Sequence, residues 1–185
     1  LSTKLIDCFG EVVSLCEHIH LPVQAGSDRV LKRMNRGYTA EAYREKVAAL
    51  HRACPGISVT SDVIVGFPGE EEDDFQATLA LMRKIRFDNL FSFQYSEREG
   101  TAAVGMDGTV SDSVKFERLR ILQDLQEEHT LAKNRACVGR VEKVLVEGTS
   151  KNEREDMTGR TRGNRIVNFP GVKELIGKTV SVLIT

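Results

Sequence analysis

Apolar positions along the first 137 residues change period several times. Tyr43, Val47 and Leu50 recur at i, i+4 and i+7 within residues 40–54, the stripe of an amphipathic helix. Phe75, Leu79, Met82 and Ile85 do the same in a helix opened by Gly69, whose first turn, Glu70 to Asp74, sets carboxylates at the positive end of the helix dipole. Between these helices Pro55-Gly56 ends the first, and Ile57-Ser58-Val59 begins a run through Val63-Ile64-Val65-Gly66-Phe67. That run is too continuously apolar for a half-exposed strand and suits one buried on both faces. Shorter strands are predicted at His18–Val23 and Leu90–Tyr95, a short helix at Asp28–Met34, and a long helix from Ser111 to Arg135. Alternation of strand and helix at this spacing predicts a parallel sheet with right-handed crossovers, an α/β class. Three strands cannot close a barrel, so the sheet is either small and open or completed by strands that precede Leu1.

After Val138 the pattern shifts to short strands separated by Gly, Asn and Ser. Val141–Glu147 and Thr179–Thr185 alternate with period two, which divides the chain into residues 1–137 and 138–185. Charge shifts at the same place: the first part holds 17 basic against 21 acidic residues, the second 9 against 6. Composition is otherwise that of a globular protein, with 41% hydrophobic and 29% charged residues, which excludes collagen-like, disordered and wholly coiled-coil classes. No apolar run is long enough to span a membrane and no export signal opens the chain, so a cytoplasmic protein without membrane association is expected. Because it begins with Leu1 rather than Met, it reads as a piece of a longer protein. Cys8, Cys16, Cys54 and Cys137 are scattered, forming no Cys-x-x-Cys pair, so free thiols and no metal site of the chain's own are expected. His18 and His20 share a strand face; with no third ligand beside them, a hydrogen-bonding role is expected rather than metal binding.

In parallel α/β folds the chemistry gathers where strands end at their carboxyl side. After the first strand comes Gln24-Ala25-Gly26-Ser27-Asp28. Gly26 permits a tight turn and Ser27 or Asp28 can cap the next helix, but neither role explains Gln24, whose amide both donates and accepts. After the second comes Gly66-Phe67-Pro68-Gly69-Glu70, where two glycines let a ligand approach the backbone; Glu70 reads as a helix-start carboxylate. After the third comes Ser96-Glu97-Arg98-Glu99-Gly100-Thr101, offering a hydroxyl and a guanidinium to a carboxylate or phosphate. In the second part, Gly159-Arg160-Thr161-Arg162-Gly163-Asn164-Arg165 makes a basic turn leading into Ile166-Val167-Asn168-Phe169, suited to phosphates and an exposed base.

Taken together, HLPVQAGSDRVLKRMNRGYT (from His20), SDVIVGFPGE (from Ser61) and FSFQYSEREGTAA (from Phe91) resemble the second half of the radical S-adenosylmethionine (SAM) domain of methylthiotransferases. The resemblance implies half of a TIM-like barrel with parallel strands. It puts Ile64 and Gly66 in the strand whose backbone faces the adenine of SAM, with Asp62 where the wider class often has glycine. It further implies Gln24 and Ser96 near the ribose or methionine end, and Arg98 near the SAM carboxylate. Residues 138–185 resemble a TRAM domain, a small antiparallel β-barrel that binds RNA, which makes Arg160, Arg162, Asn164 and Arg165 candidate tRNA contacts. GRTRGNRIVNF (from Gly159) is most similar to the family members that act on isopentenylated adenosine beside the tRNA anticodon. Members acting on threonylcarbamoyladenosine, or a non-catalytic RNA-binding module, are the alternatives. By the same resemblance, two 4Fe-4S clusters, one cleaving SAM and one tied to sulfur delivery, are held by cysteines before Leu1, and no catalytic residue is assigned within the chain. The ultimate sulfur source stays open. An uncovered first-strand edge predicts dimerisation, aggregation or marginal stability of the piece alone.

Overall fold

The computed structural model describes residues 1–151 and 156–185. The first part is a parallel three-stranded sheet in the order β1 (His18–His20), β2 (Ser58–Val65), β3 (Asn89–Gln94). Helices α2 (Asp28–Arg33) and α3 (Ala40–Ala53) connect β1 to β2, and α4 (Glu72–Ile85) connects β2 to β3. Helix α1 (Thr3–Glu11) precedes the sheet and α5 (Asp112–Arg135) follows it.

One face of the sheet carries Val59, Val63, Val65 and Leu90, all buried against Tyr43, Val47 and Leu50 of α3, Phe75, Leu79 and Met82 of α4, and Leu122 of α5. Each fully buried side chain of this size contributes roughly 1.5–3 kcal/mol, so this single layer of helices anchors the sheet. The opposite face, on which His20 and Thr60, Asp62 and Phe91, and Ile64 and Phe93 lie in register, is uncovered towards its carboxyl end. Phe91 and Phe93 are half exposed there, and Asp62 and Ile64 are only partly buried. β2 is therefore buried on both faces only in its first half, Ser58–Ser61, which is mostly polar, whereas its apolar second half is buried on the helix side and only partly covered on the other.

Local signals place the helices. Ser27, Thr39 and Ser111 accept hydrogen bonds from the backbone three residues on and cap α2, α3 and α5. Asp74, in the first turn of α4, is a tie between elements: its carboxylate accepts from the Glu71 amide at 2.8 Å and the Ser27 hydroxyl at 2.5 Å, and pairs with Arg29. Burial opposes its ionisation, but the bonds from Arg29, Ser27 and Glu71 outweigh that and hold the carboxyl below its ordinary range. The hydrophobic pattern did not disclose α1, which Ser2 caps and which buries only Ile6 against α3.

The second part is a curled antiparallel sheet, a half-barrel in the order β6 (Ile166–Pro170), β5 (Asp156–Thr161), β4 (Val141–Thr149), β7 (Thr179–Leu183). Val144, Val146, Met157 and Phe169 form its own small core. No helix among the described residues is long and apolar enough to cross a membrane.

Candidate functional site

Because β1, β2 and β3 run parallel and adjacent, their three exits lie along one edge of the sheet. Exit one is stitched to β2: the Gln24 amide donates to Asp62 O at 2.8 Å, and the Ile64 amide donates to Gln24 O at 2.9 Å. Those two bonds hold Gln24 at φ +71°, a left-handed conformation that costs a non-glycine residue on the order of 1–3 kcal/mol. Its side chain is largely buried and has no hydrogen-bond partner among the described residues. Exit three is stitched to the end of β2 by the Tyr95 amide, which donates to Val65 O at 2.8 Å. Ala25 of the first exit and Phe67 of the second share a small apolar cluster with Tyr95, Ala103 and Met106 of the third, and the Phe67 and Tyr95 rings meet edge to face at 5.0 Å. The Tyr95 hydroxyl within this cluster is buried without a partner.

Gly66 adopts φ +72°, and its amide donates to Glu70 Oε1 at 2.9 Å. Glu70 is not the start of the helix, which begins at Glu72. Its side chain is 2% exposed and accepts from Arg118 of α5 at 2.8 Å. Burial pushes the Glu70 carboxyl above its ordinary range, against the Gly66 amide and Arg118. The close approaches that the two glycines of this exit permit are made by the protein itself: a Cβ on Gly66 would fall 2.3 Å from the stem of Lys115, and one on Gly69 2.8 Å from the guanidinium of Arg33. Ser96 and Arg98 are exposed beyond β3.

The basic hairpin lies at the other end of the sheet and spans the amino ends of all three strands. Arg162 pairs with Glu17 just before β1 at 2.7 Å, Gly163 packs over Ser58 at the start of β2, and Arg165 pairs with Asp88 just before β3 at 2.7 Å. Asn164, at φ +64°, approaches His18 Nε2 at 3.4 Å and accepts from Arg160, which also pairs with Glu147 at 3.1 Å. His18 and His20 both hydrogen-bond the Thr60 hydroxyl, at 3.2 and 3.0 Å, and His20 reaches Asp62 at 3.4 Å. Burial, reinforced by His20, pushes the His18 imidazole below its ordinary range. No group of three His, Cys, Asp or Glu among the described residues is arranged to hold a metal, and Cys8, Cys16, Cys54 and Cys137 are free. A cleft of about 920 Å³ separates the hairpin from the open face of the sheet, bordered by His20, Phe91, Asn134, Arg160 and Asn168.

Residues 5–82 match the family model described as "Radical SAM superfamily", and residues 135–185 match that described as "TRAM domain". A protein of Syntrophus aciditrophicus named tRNA-2-methylthio-N(6)-dimethylallyladenosine synthase is 63% identical over 184 residues, covering 100% of this chain and 40% of that protein. Proteins of the same name from Geobacter sulfurreducens and Moorella thermoacetica are 55% and 50% identical, over 100% and 98% of this chain and 41% of each relative. This chain joins a radical SAM portion to a TRAM domain.

It spans about two fifths of the length of the relatives it matches. Radical SAM proteins as a class use SAM with iron-sulfur clusters, and the TRAM match falls on the curled sheet and its hairpin. The residues that sequence reasoning missed at this site are Tyr95, Arg118, Glu17 and Asp88. Only Arg118 left a trace, since it falls on one stripe with Leu122, Gln126 and His129, but that stripe is mostly polar and so carries no hydrophobic period.

Proposed function

We propose that residues 1–185 are the carboxyl-terminal portion of a cytoplasmic enzyme that methylthiolates isopentenylated adenosine next to the tRNA anticodon. Residues 1–137 contribute one wall of the SAM site, and residues 138–185 contribute RNA recognition through the hairpin that carries Arg160, Arg162, Asn164 and Arg165. The observation that carries this reading is the joining of three strand exits along one edge of a parallel sheet whose face opposite the helices is open towards that edge. The strained Gln24 and the unpartnered Tyr95 hydroxyl fit a polar ligand at that edge. Gln24 and Ser96 would serve the ribose or methionine end of SAM, Arg98 its carboxylate, and the strand of Asp62, Ile64 and Gly66 its adenine. Bound SAM supplies radical chemistry once an iron-sulfur cluster reduces it, and the ligands of two such 4Fe-4S clusters belong to the part of the protein outside this chain.

In the full-length protein, Arg98→Ala and Gln24→Ala are each expected to weaken SAM binding by about tenfold, the usual effect of losing a charge-assisted or buried hydrogen bond. Equilibrium dialysis with labelled SAM measures this. Unchanged affinity in both variants would remove the exits from the cofactor site.

A further inference from the structure

The hairpin joins two parts that share no apolar core among the described residues. The hydrophobic clusters of the sheet and its helices contain no residue of β4 to β7, and the cluster inside the curled sheet contains none from the first part. The orientation of one part on the other therefore rests heavily on polar contacts, and the strongest of these are made by two hairpin arginines.

Arg162 is extensively engaged. Its Nε donates to both oxygens of Glu17, at 2.7 and 3.0 Å, and its Nη2 donates to the carbonyls of Val13 and Leu15 at 2.8 and 2.6 Å. Arg165 Nη2 donates to Asp88 Oδ1 at 2.7 Å, while the other oxygen of Asp88 accepts from Lys133 at 2.7 Å and from the Val59 amide at 2.9 Å. Asp88 is thus fixed by β2 and α5 before the hairpin arrives. A phosphate reaching either arginine would meet a guanidinium already neutralised by a carboxylate and would have only its remaining N–H groups to bind. Arg160 differs: its pairing with Glu147 stays within the curled sheet.

We propose that Glu17 and Asp88 are positioning residues for RNA recognition: each holds one hairpin arginine against the amino ends of the parallel strands, so the TRAM sheet keeps one orientation relative to the exits at the opposite end. This rests on the RNA-binding reading above and assigns Arg162 and Arg165 to orientation rather than to phosphate contact. A fixed orientation raises affinity for an RNA that must reach both ends of the sheet, because less freedom is lost on binding.

The sign of a charge change separates the two roles. Glu17→Gln and Asp88→Asn each remove a negative charge, so simple electrostatics makes RNA bind more tightly, whereas loss of positioning makes it bind more weakly. In the full-length protein, with a fluorescent tRNA titrated at several salt concentrations, each variant is expected to bind about tenfold more weakly, with the salt slope unchanged. Amide hydrogen exchange is expected to rise in residues 13–18 and 161–165 while β4, β5 and β7 outside the hairpin stay protected. Arg162→Ala should reproduce both effects. Asp88 also anchors Val59, so Glu17→Gln, on a partly exposed side chain, keeps the test sound if Asp88→Asn fails to fold. Tighter binding by Glu17→Gln, or a salt slope that falls by roughly 0.7–0.9 in Arg162→Ala, would make these arginines phosphate contacts and overturn the proposal. Unchanged exchange at the junction would overturn it as well. If the unaltered protein binds no tRNA, the RNA-binding reading fails first, a result distinct from either of these.

Discussion

Arg118→Met is expected to lower folding stability by about 3 kcal/mol at pH 8 and by clearly less at pH 5. The substitution keeps much of the side-chain volume but strips the buried Glu70 carboxylate of its counter-charge, at a site where the two side chains are 8% and 2% exposed. Breaking a buried pair from one side costs more than the pair contributes, because the remaining charge is left without solvent or partner. The pH dependence follows from the direction of the Glu70 shift. Its folded carboxyl lies above the ordinary range, chiefly through burial, so the stability linked to its proton is fully present below the ordinary carboxyl range and is lost as pH rises through the folded value. Arg118 opposes that shift, and removing it moves the folded value further up and widens the window in which a protonated Glu70 spares the variant. Urea unfolding at the two pH values measures this. An equal loss at both would mean that Glu70 is not the stranded charge, and the double variant Glu70→Gln with Arg118→Met should recover most of the deficit. Since Glu70 also holds the Gly66 amide, the single variant should weaken SAM binding by the full-length protein even where it is folded.

Gly26→Ala is expected to cost about 3 kcal/mol, at the upper end for overpacking, and to lower the melting temperature by roughly 6–12 °C. The sequence suggests a tight turn for this glycine, but its conformation is not left-handed; what requires glycine is contact. A Cβ would stand 2.4 Å from Thr78 Cα and 2.7 Å from Ala77 O, both backbone atoms of α4 that cannot swing aside. The Gly26 amide also donates to the Thr78 hydroxyl at 2.9 Å, so pushing the loop off α4 breaks that bond and shifts the exit that carries Gln24. Gly56→Ala is the control, since no atom lies within 4 Å of the added methyl and the change should be nearly neutral. A variant of Gly26 as stable as the parent would show that α4 yields more readily than its packing suggests.

Much of the architecture was legible because it is local. Tyr43, Val47 and Leu50 are buried as their spacing requires, Ser27 caps the helix it precedes, and β2 and β3 fall within two residues of their apolar runs. Motifs of residue type and spacing were enough to point to the radical SAM and TRAM domains. The failures share a cause. Helix α5 lies where the sequence placed it, but it buries Arg118, Gln126 and His129 beside Leu122, so its inward face has no apolar period to find. Helix α1 is short and buries one residue, too few for a stripe. Glu70 looked like part of an acidic helix start, since nothing in residues 69–74 announces that a guanidinium waits on α5.

The sequence by itself determined the order of strands and helices from β1 to α5, the division into an α/β part and a β part, and the likeness of each part to a known domain, since each depends on residues within a few positions of one another. Only the tertiary structure decided which polar groups meet: Glu70 with Arg118 across 48 positions, Asp88 with Arg165 across 77, and Glu17 with Arg162 across 145. Periodicity reports which side of an element faces inward, whereas the partner of a charge is chosen by how whole elements pack. For that reason the hairpin arginines, exposed and basic as read along the chain, prove to be held by carboxylates that no local pattern connects to them.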